Sequence, residues 1–274
     1  MVWKIATFNV NGIRSRRQVV ESWLRVNRPD VLCLQEIKCR DAEFPYDFLR
    51  EAGYEASVCG QKAFHGVAIL SLRKPEAVRR GFADGGSDVE ARLIAAKIDG
   101  IWIYNSYVPQ GRSPDHPAFQ EKLGYFARLK KLFAREHTPS EPILWVGDIN
   151  VAPEDIDVFS PHRMEGKIGF HPLEKQALSE VTAWGFVDLF RKHHPEVRQF
   201  TFWDYRLPKS FEHNLGWRLD HIRATECVAK ASIDCRVDAT PRGESTPSDH
   251  TPVLAEFAGA GAGVPPGPGC ALAK

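Results

Sequence analysis

No stretch of this 274-residue chain approaches the run of about eighteen apolar residues that a bilayer-spanning helix requires. No basic start with an apolar segment behind it precedes the first strand-like run, "VWKIATFNV", so a secretory leader is not expected either. The six cysteines (Cys33, Cys39, Cys59, Cys227, Cys235 and Cys270) form no CxxC pair and show no zinc spacing. Cys33 sits within an apolar run and reads as a buried thiol. These absences predict a protein of the reducing cytoplasm, away from membranes. Net charge is nearly absent too, with 36 Lys and Arg against 35 Asp and Glu. A polyanionic partner would have to be met by a local basic face and by cations, because the overall balance supplies no attraction.

The chain does have the means to build a core. Its 43% apolar and 26% charged residues are those of an ordinary folded domain. Short β-rich apolar runs recur: "WKIATFN", "DVLCLQ", "GVAILSL", "RLIAAKI", "IWIYNSYV", "PILWVGD", "HIRAT" and "PVLAEF". Several are bounded by Gly, Pro or Asp, as strands are. Helical patterns lie between some of them. Ser15 and Gln18 have the spacing of a capping box, with Val19, Val20, Trp23 and Leu24 on one face behind them. Phe119, Leu123, Phe126, Leu129 and Phe133 repeat at three and four over a longer helix. Leu173, Ala177, Leu178, Val181 and Trp184 mark a third. Many strands with few helices predict an α/β fold in which two packed, mostly antiparallel sheets are flanked by helices. No Ser-, Gly- or Pro-rich linker divides residues 1–257, which read as one domain. Residues 258–274, "AGAGAGVPPGPGCALAK", offer almost nothing to bury and read as a disordered tail.

The run "ILWVGDIN" (residues 143–150) is apolar for four residues and then turns polar. Side chains alternate along an extended chain, so Asp148 and Asn150 are predicted to point the same way. An anion at the end of a core strand is costly unless something compensates it. Other runs end alike: Asn9 and Asn11 follow one strand, Glu36 another, Asp220 lies at a third, and Asp249 and His250 precede the last. Taken singly, each is an ordinary turn former or cap. Together, acids, amides and a histidine at the ends of core strands converge on one rim. Hard oxygen donors of this kind suit Mg²⁺ or Mn²⁺ more than zinc. Clustered carboxylates repel unless a cation or proton sits among them, and such a metal site is suited to chemistry at phosphate.

The set "FNVNGIR", "LQEIK", "GQKAFHGVAIL", "YVPQG", "GDINVAPEDID", "WDYR", "GWRLDH" and "SDHTP" resembles the exonuclease III family of abasic-site endonucleases, bacterial type, within the endonuclease/exonuclease/phosphatase superfamily. The resemblance runs from about Val2 to Phe257. "GDxN" and "SDH" alone point to the superfamily, whereas "LQEIK", "YVPQG" and "WRLDH" narrow it to the DNA-repair branch. The resemblance implies a four-layered α/β sandwich and a Mg²⁺-dependent nuclease of base excision repair. Such an enzyme cuts 5′ to abasic sites, removes 3′ nucleotides and clears 3′ blocking groups. It implies a monomer acting on double-stranded DNA that carries abasic sites or 3′ ends. A lipid or inositol phosphodiesterase on the same scaffold is the alternative. It would want a leader or an apolar membrane-docking loop, and neither is found. A DNA-binding module without catalysis would lack part of the acid set.

Roles follow from the resemblance, residue by residue. Glu36 is the principal Mg²⁺ ligand, with Mn²⁺ as a substitute, helped by Asn9 and Asp249. Asp148, Asn150 and His250 also belong to the metal's surroundings. A plain salt bridge with Lys38 is the bland alternative for Glu36. Asp148 is a general base for the attacking water, with Asn150 positioning that water or a phosphate oxygen. His250, oriented by Asp220, contacts the phosphate, and whether it or Asp148 is the working base stays open. Tyr107 contacts the phosphate as well. On the DNA side stand Lys62 and Gln110, then Trp203, Arg206, Lys209 and Arg218 in "TFWDYRLPKSFEHNLGWRLD". Trp203 is the expected wedge beside a flipped abasic sugar, while Phe202 and Trp217 are expected in the core.

Overall fold

The computed structural model describes residues 2–86 and 90–259. The expected tail therefore lies, from residue 260 onward, outside the described residues. Its first residue, Ala258, belongs instead to the last strand, opposite Val2.

Among the described residues, strands numbered in chain order form two six-stranded sheets. The first sheet runs β11 (Ser232–Val237), β12 (Val253–Ala258), β1 (Val2–Asn9), β2 (Val31–Gln35), β4 (Val67–Ser71), β3 (Glu55–Cys59). The second runs β5 (Ala77–Arg80), β6 (Leu93–Ile98), β7 (Ile101–Tyr107), β8 (Ile143–Asp148), β10 (Asp220–Thr225), β9 (Phe186–Asp188). Each sheet holds a single parallel pair, β1 with β2 and β7 with β8, and every other pairing is antiparallel.

Alternation along the strands divides the apolar side chains between two layers. Ile5, Cys33 and Ile69 of the first sheet meet Ile103, Val146 and Ile222 of the second in a dry core between the sheets. The residues between them, such as Phe8, Leu32 and Leu34, face outward under α1 (Arg17–Asn27) and α2 (Tyr46–Glu51). Val19, Val20, Trp23 and Leu24 form the buried face of α1, as their spacing predicts. The Ser15 capping box does not form. The helix begins later, with Arg16 as an N-cap that makes no side-chain bond, so Gln18 falls one position short.

Over the second sheet lie α3 (Pro117–Glu136) and α5 (Pro172–Thr182). Phe119, Phe126, Leu129 and Phe133 are buried beneath α3, whereas Leu173 of α5 is exposed and Trp184 falls beyond that helix. Three short helices, α4 (Pro161–Met164), α6 (Leu189–His193) and α7 (Glu226–Ala229), complete the layers. Helix, sheet, sheet, helix is the four-layered sandwich that the resemblance implied.

Candidate active site

Because β1 runs parallel to β2 and β7 to β8, all four strands end on one side of the molecule. Asn9 lies opposite Gln35, and Tyr107 opposite Asp148. Strand β10 starts where β8 ends, which sets Asp220 across from Asp148. The two sheets meet there: the Asn9 amide donates to Asp148 Oδ2 at 2.9 Å and to Glu36 Oε1 at 3.0 Å. The predicted rim is thus real, and it draws on both sheets. Within the second sheet, Gly147 lets β8 lie close against β7, for at its φ of +134° a Cβ would stand 1.9 Å from the Ser106 carbonyl oxygen.

Asp148 is 1% exposed. Asn150 reaches it by a route other than strand alternation. The strand ends at Asp148, and Asn150 takes a left-handed conformation (φ 54°). That turn lets its backbone N–H donate to Asp148 Oδ1 at 3.0 Å, while its Nδ2 donates to Val108 O at 2.9 Å. His250 Nδ1 lies 2.7 Å from Asp220 Oδ2, and its Nε2 lies 3.7 Å from Asp148 Oδ2. Burial disfavours a charged His250, but the Asp220 and Asp148 carboxylates outweigh it and push its pKa well up, so it stands as imidazolium. Burial pushes Asp148 above the usual carboxylate range. Burial, with the Glu36 and Asp148 carboxylates nearby, also raises the Tyr107 phenol, which remains a neutral donor.

Glu36 sits just past β2 in a left-handed conformation (φ 51°), unusual for a residue with a Cβ. Burial opposes its ionisation, yet the Asn9 hydrogen bond and the Lys38 ion pair at 2.8 Å hold its carboxyl below the ordinary value. The bland alternative for Glu36 is therefore present too, without displacing it from the site. Lys38 also donates to Asn11 Oδ1, and Asn11 Nδ2 donates to Asp249 Oδ1 at 2.9 Å. A positive charge thus already stands between Glu36 and the Asp249 side, where a divalent cation would be at home. Asp148, Asp220 and His250 also lie close enough together to hold a metal. The Glu36 side and the Asp148–Asp220–His250 group are thus two places with donors suited to a cation. Asn9 enters as a donor to two carboxylates, its own oxygen accepting from Asn11 N at 3.0 Å.

These groups line a cavity of about 570 Å³ with an acidic floor of Glu36, Asp148 and Asp249. One wall is apolar: Phe202, Trp217, Leu219 and Ile168. This overturns the expected division of the aromatics. Trp203 is 3% exposed, packed edge-on against Phe211 with Arg242 over its ring and Nε1 donating to Asn214 Oδ1 at 3.2 Å. It is a core residue, while Phe202 and Trp217, expected in the core, are half-buried: they pack on the Val158, Phe170 and Leu219 cluster and also line the cavity. Gly216 decides the matter, since a Cβ there would stand 2.7 Å from the indole nitrogen.

Arg218 is a second correction. Its guanidinium is buried, holding Asp157 at 2.6 and 3.0 Å and Asp188 at 2.9 Å, and so is out of reach of DNA. Lys62, Gln110, Arg206 and Lys209 are exposed, and Gln110 and Arg206 line the cavity. Arg206 is clasped by Asp204 at 2.7 Å, and Lys209 stands 3.8 Å from Glu212.

The sequence reading passed over the polar tie beneath the rim. Buried Asn105 accepts from Gln35 Nε2 at 2.7 Å and donates to Leu34 O and Ala68 O, both at 2.9 Å, joining the two sheets. An amide in the middle of "IWIYNSYV" was the available signal, because a buried amide without partners is costly. Lys122 is the other omission. Fully buried, it pairs with Glu174 and donates to Asn150 O at 2.7 Å and Gln110 O at 3.3 Å, behind the turn that carries Asn150.

Residues 6–250 match the Endonuclease/Exonuclease/phosphatase family. The chain is 36% identical to the exodeoxyribonuclease III of Haemophilus influenzae over 266 residues, 93% of this chain and 99% of that protein. The fold superposes on an AP endonuclease from Archaeoglobus fulgidus with a TM-score of 0.90 at 44% identity, covering 93% of this chain and 99% of that one. A 3′ phosphatase from Neisseria, solved with a product DNA hairpin, gives a TM-score of 0.90 at 36% identity with the same coverage. Among the described residues no helix is long and apolar enough to cross a membrane.

Proposed function

The chain belongs to the endonuclease/exonuclease/phosphatase family, and from that premise we propose that it is a Mg²⁺-dependent DNA-repair phosphodiesterase. It cleaves duplex DNA 5′ to abasic sites, removes 3′ nucleotides and clears 3′ blocking groups. All three are one reaction: water attacks phosphorus, the phosphorus–O3′ bond breaks, and a 3′-hydroxyl leaves. The observation that carries the reading is the Asp220–His250–Asp148 line, 2.7 and 3.7 Å between neighbours, beside an apolar wall. The lipid and inositol alternative finds no support among the relatives described.

Within this reading Asp148 is the base. The two carboxylates flanking His250 favour its charged form, which supports giving the base's role to Asp148. Burial makes Asp148 a stronger base than a solvated one. Asn150 and Asn9 hold its oxygens in place. His250 Nε2–H and the Tyr107 phenol donate to the phosphoryl oxygens as charge develops on them. Glu36 and Asp249 would hold the Mg²⁺, which when bound would offset phosphoryl charge and for which Mn²⁺ would be a substitute. Phe202, Trp217 and Leu219 take a sugar that has lost its base, since extruding an abasic nucleotide costs little pairing or stacking.

Hydrolysis of a duplex carrying one abasic-site analogue, with Mg²⁺ and with chelator, tests the reading. Cleavage 5′ to the lesion is expected with metal alone, and Glu36→Ala should abolish most of it at low Mg²⁺. Unchanged turnover of Glu36→Ala would reject the metal assignment, and an intact duplex the function.

A further inference from the structure

Lys122, in the second turn of α3, is completely buried, and so is the Glu174 carboxylate of α5 that it meets at 2.5 Å. An ion pair withdrawn from water is a poor stabiliser by itself, because two apolar side chains of similar size often do as well or better. That pair occupies only one of the ammonium's three N–H groups. The others donate to backbone carbonyls, Asn150 O at 2.7 Å and Gln110 O at 3.3 Å. Among the described residues no other donor reaches either carbonyl. One ammonium thus joins three segments: α5, the turn after β8 and the loop after β7.

The turn and the loop both belong to the catalytic rim. The turn carries Asn150, whose left-handed backbone brings its N–H to Asp148 Oδ1 at 3.0 Å. A residue with a Cβ stays in that region only where its surroundings hold it. Within the loop, two residues before Gln110, Val108 O accepts from Asn150 Nδ2 at 2.9 Å. Asn150 is therefore gripped twice, its side-chain amide by Val108 and its backbone carbonyl by Lys122. Glu174 stands further back. Its two oxygens meet Lys122 and, at 3.0 Å, His171 N at the start of α5.

We propose that Lys122 is a positioning residue for the hydrolysis. Its ammonium holds the Asn150 turn against the Gln110 loop and so keeps Asp148 aimed at the attacking water. The inference rests on the reading of Asp148 as the base.

The test compares Lys122→Met with Glu174→Gln in the full chain. Both break the same ion pair, so a merely structural role would lower melting temperature and turnover alike in the two. Positioning predicts a split: kcat on abasic duplex falls about tenfold to a hundredfold in Lys122→Met with KM little changed, as a small misplacement of reacting groups implies. In Glu174→Gln, where the ammonium keeps both carbonyls, kcat should stay near the parent's. Should Lys122→Met not fold, the double variant with Glu174→Leu carries the measurement, since it leaves no unpaired buried charge. Hydrogen exchange at the Asn150 amide gives a readout that does not depend on cleavage. It should quicken when Lys122 is replaced and hold in Glu174→Gln. An inactive parent would reject the nuclease reading. Equal losses of kcat in the two single variants, or an Asn150 amide that exchanges as in the parent once Lys122 is replaced, overturns this one.

Discussion

Asp148→Asn keeps an acceptor for the Asn9 and Asn150 bonds and removes the one property the reaction needs, basicity. Cleavage should fall by about two to four orders of magnitude, the usual worth of a general base. Affinity for abasic duplex, read by fluorescence anisotropy, should hold or rise as a negative charge near phosphate is lost. A matching fall in affinity would make Asp148 a structural residue. The same scale explains the misplaced tryptophan. Phe202 and Trp203 are neighbours on extended chain, so one must face the cavity and the other the core, and composition cannot say which. The indole fits inward only because Gly216 lacks a Cβ, a fact about a residue thirteen positions on. Trp203→Ala should therefore cost about 3–5 kcal/mol of stability. Trp217→Ala should cost less stability than Trp203→Ala, because Trp217 is only half-buried against Phe159 and Phe202, and should narrow the preference for abasic over intact duplex. Equal weakening on both duplexes would take Trp217 out of lesion recognition. The acids that meet at the rim were legible because an anion at a strand end needs a reason. Arg218 was misread because a cation in a loop gives no sign of a buried acid sixty residues away.

The eight apolar runs found in the sequence are β1, β2, β4, β6, β7, β8, β10 and β12, and all are interior strands. The four strands that were missed, β3, β5, β9 and β11, are the edges of the two sheets. An interior strand of a four-layered fold is covered on both faces and reads as a continuous apolar run. An edge strand is not: β5 is half-buried to exposed throughout and ends in Arg79 and Arg80, the charge that guards an edge against further pairing. The site was legible, then, because it hangs on interior strands. Between elements the binding is ionic. Asp157, in the segment after β8, is tied to Arg218 ahead of β10 and to Arg191 of α6. Burial works against its ionisation, but the Arg218 and Arg191 charges outweigh it and hold its carboxyl below the ordinary value. A folded pKa below the unfolded one stabilises above about pH 4 and ceases to as pH falls through the folded value. Asp157→Asn should cost about 3–5 kcal/mol at neutral pH by stranding a buried guanidinium. In urea unfolding the gap to the parent protein should begin to shrink as pH falls below about 4 and close once pH passes the lower folded value, where Asp157 too is uncharged. A gap that stays constant into acid would mean the ion pair is not what holds these elements together.

At the scale of the whole molecule, neither sheet owns the site: Asn9 and Glu36 come from the first, Tyr107, Asp148 and Asp220 from the second. Asp249 and His250 arrive just ahead of β12, which pairs with β1. The first strand to be synthesised thus waits in the middle of its sheet for the last. On the ribosome, a chain short of residue 258 has β1 unpaired on one side, and one short of residue 250 has no imidazolium to meet a phosphate. The site is therefore incomplete until the last strand is in place. Stalled ribosome-bound chains of graded length should show abasic-site cleavage in a single step, once β12 has cleared the exit tunnel. Activity rising gradually over shorter chains would show that half the molecule suffices. Closure of the first sheet and assembly of the site are in this sense a single event.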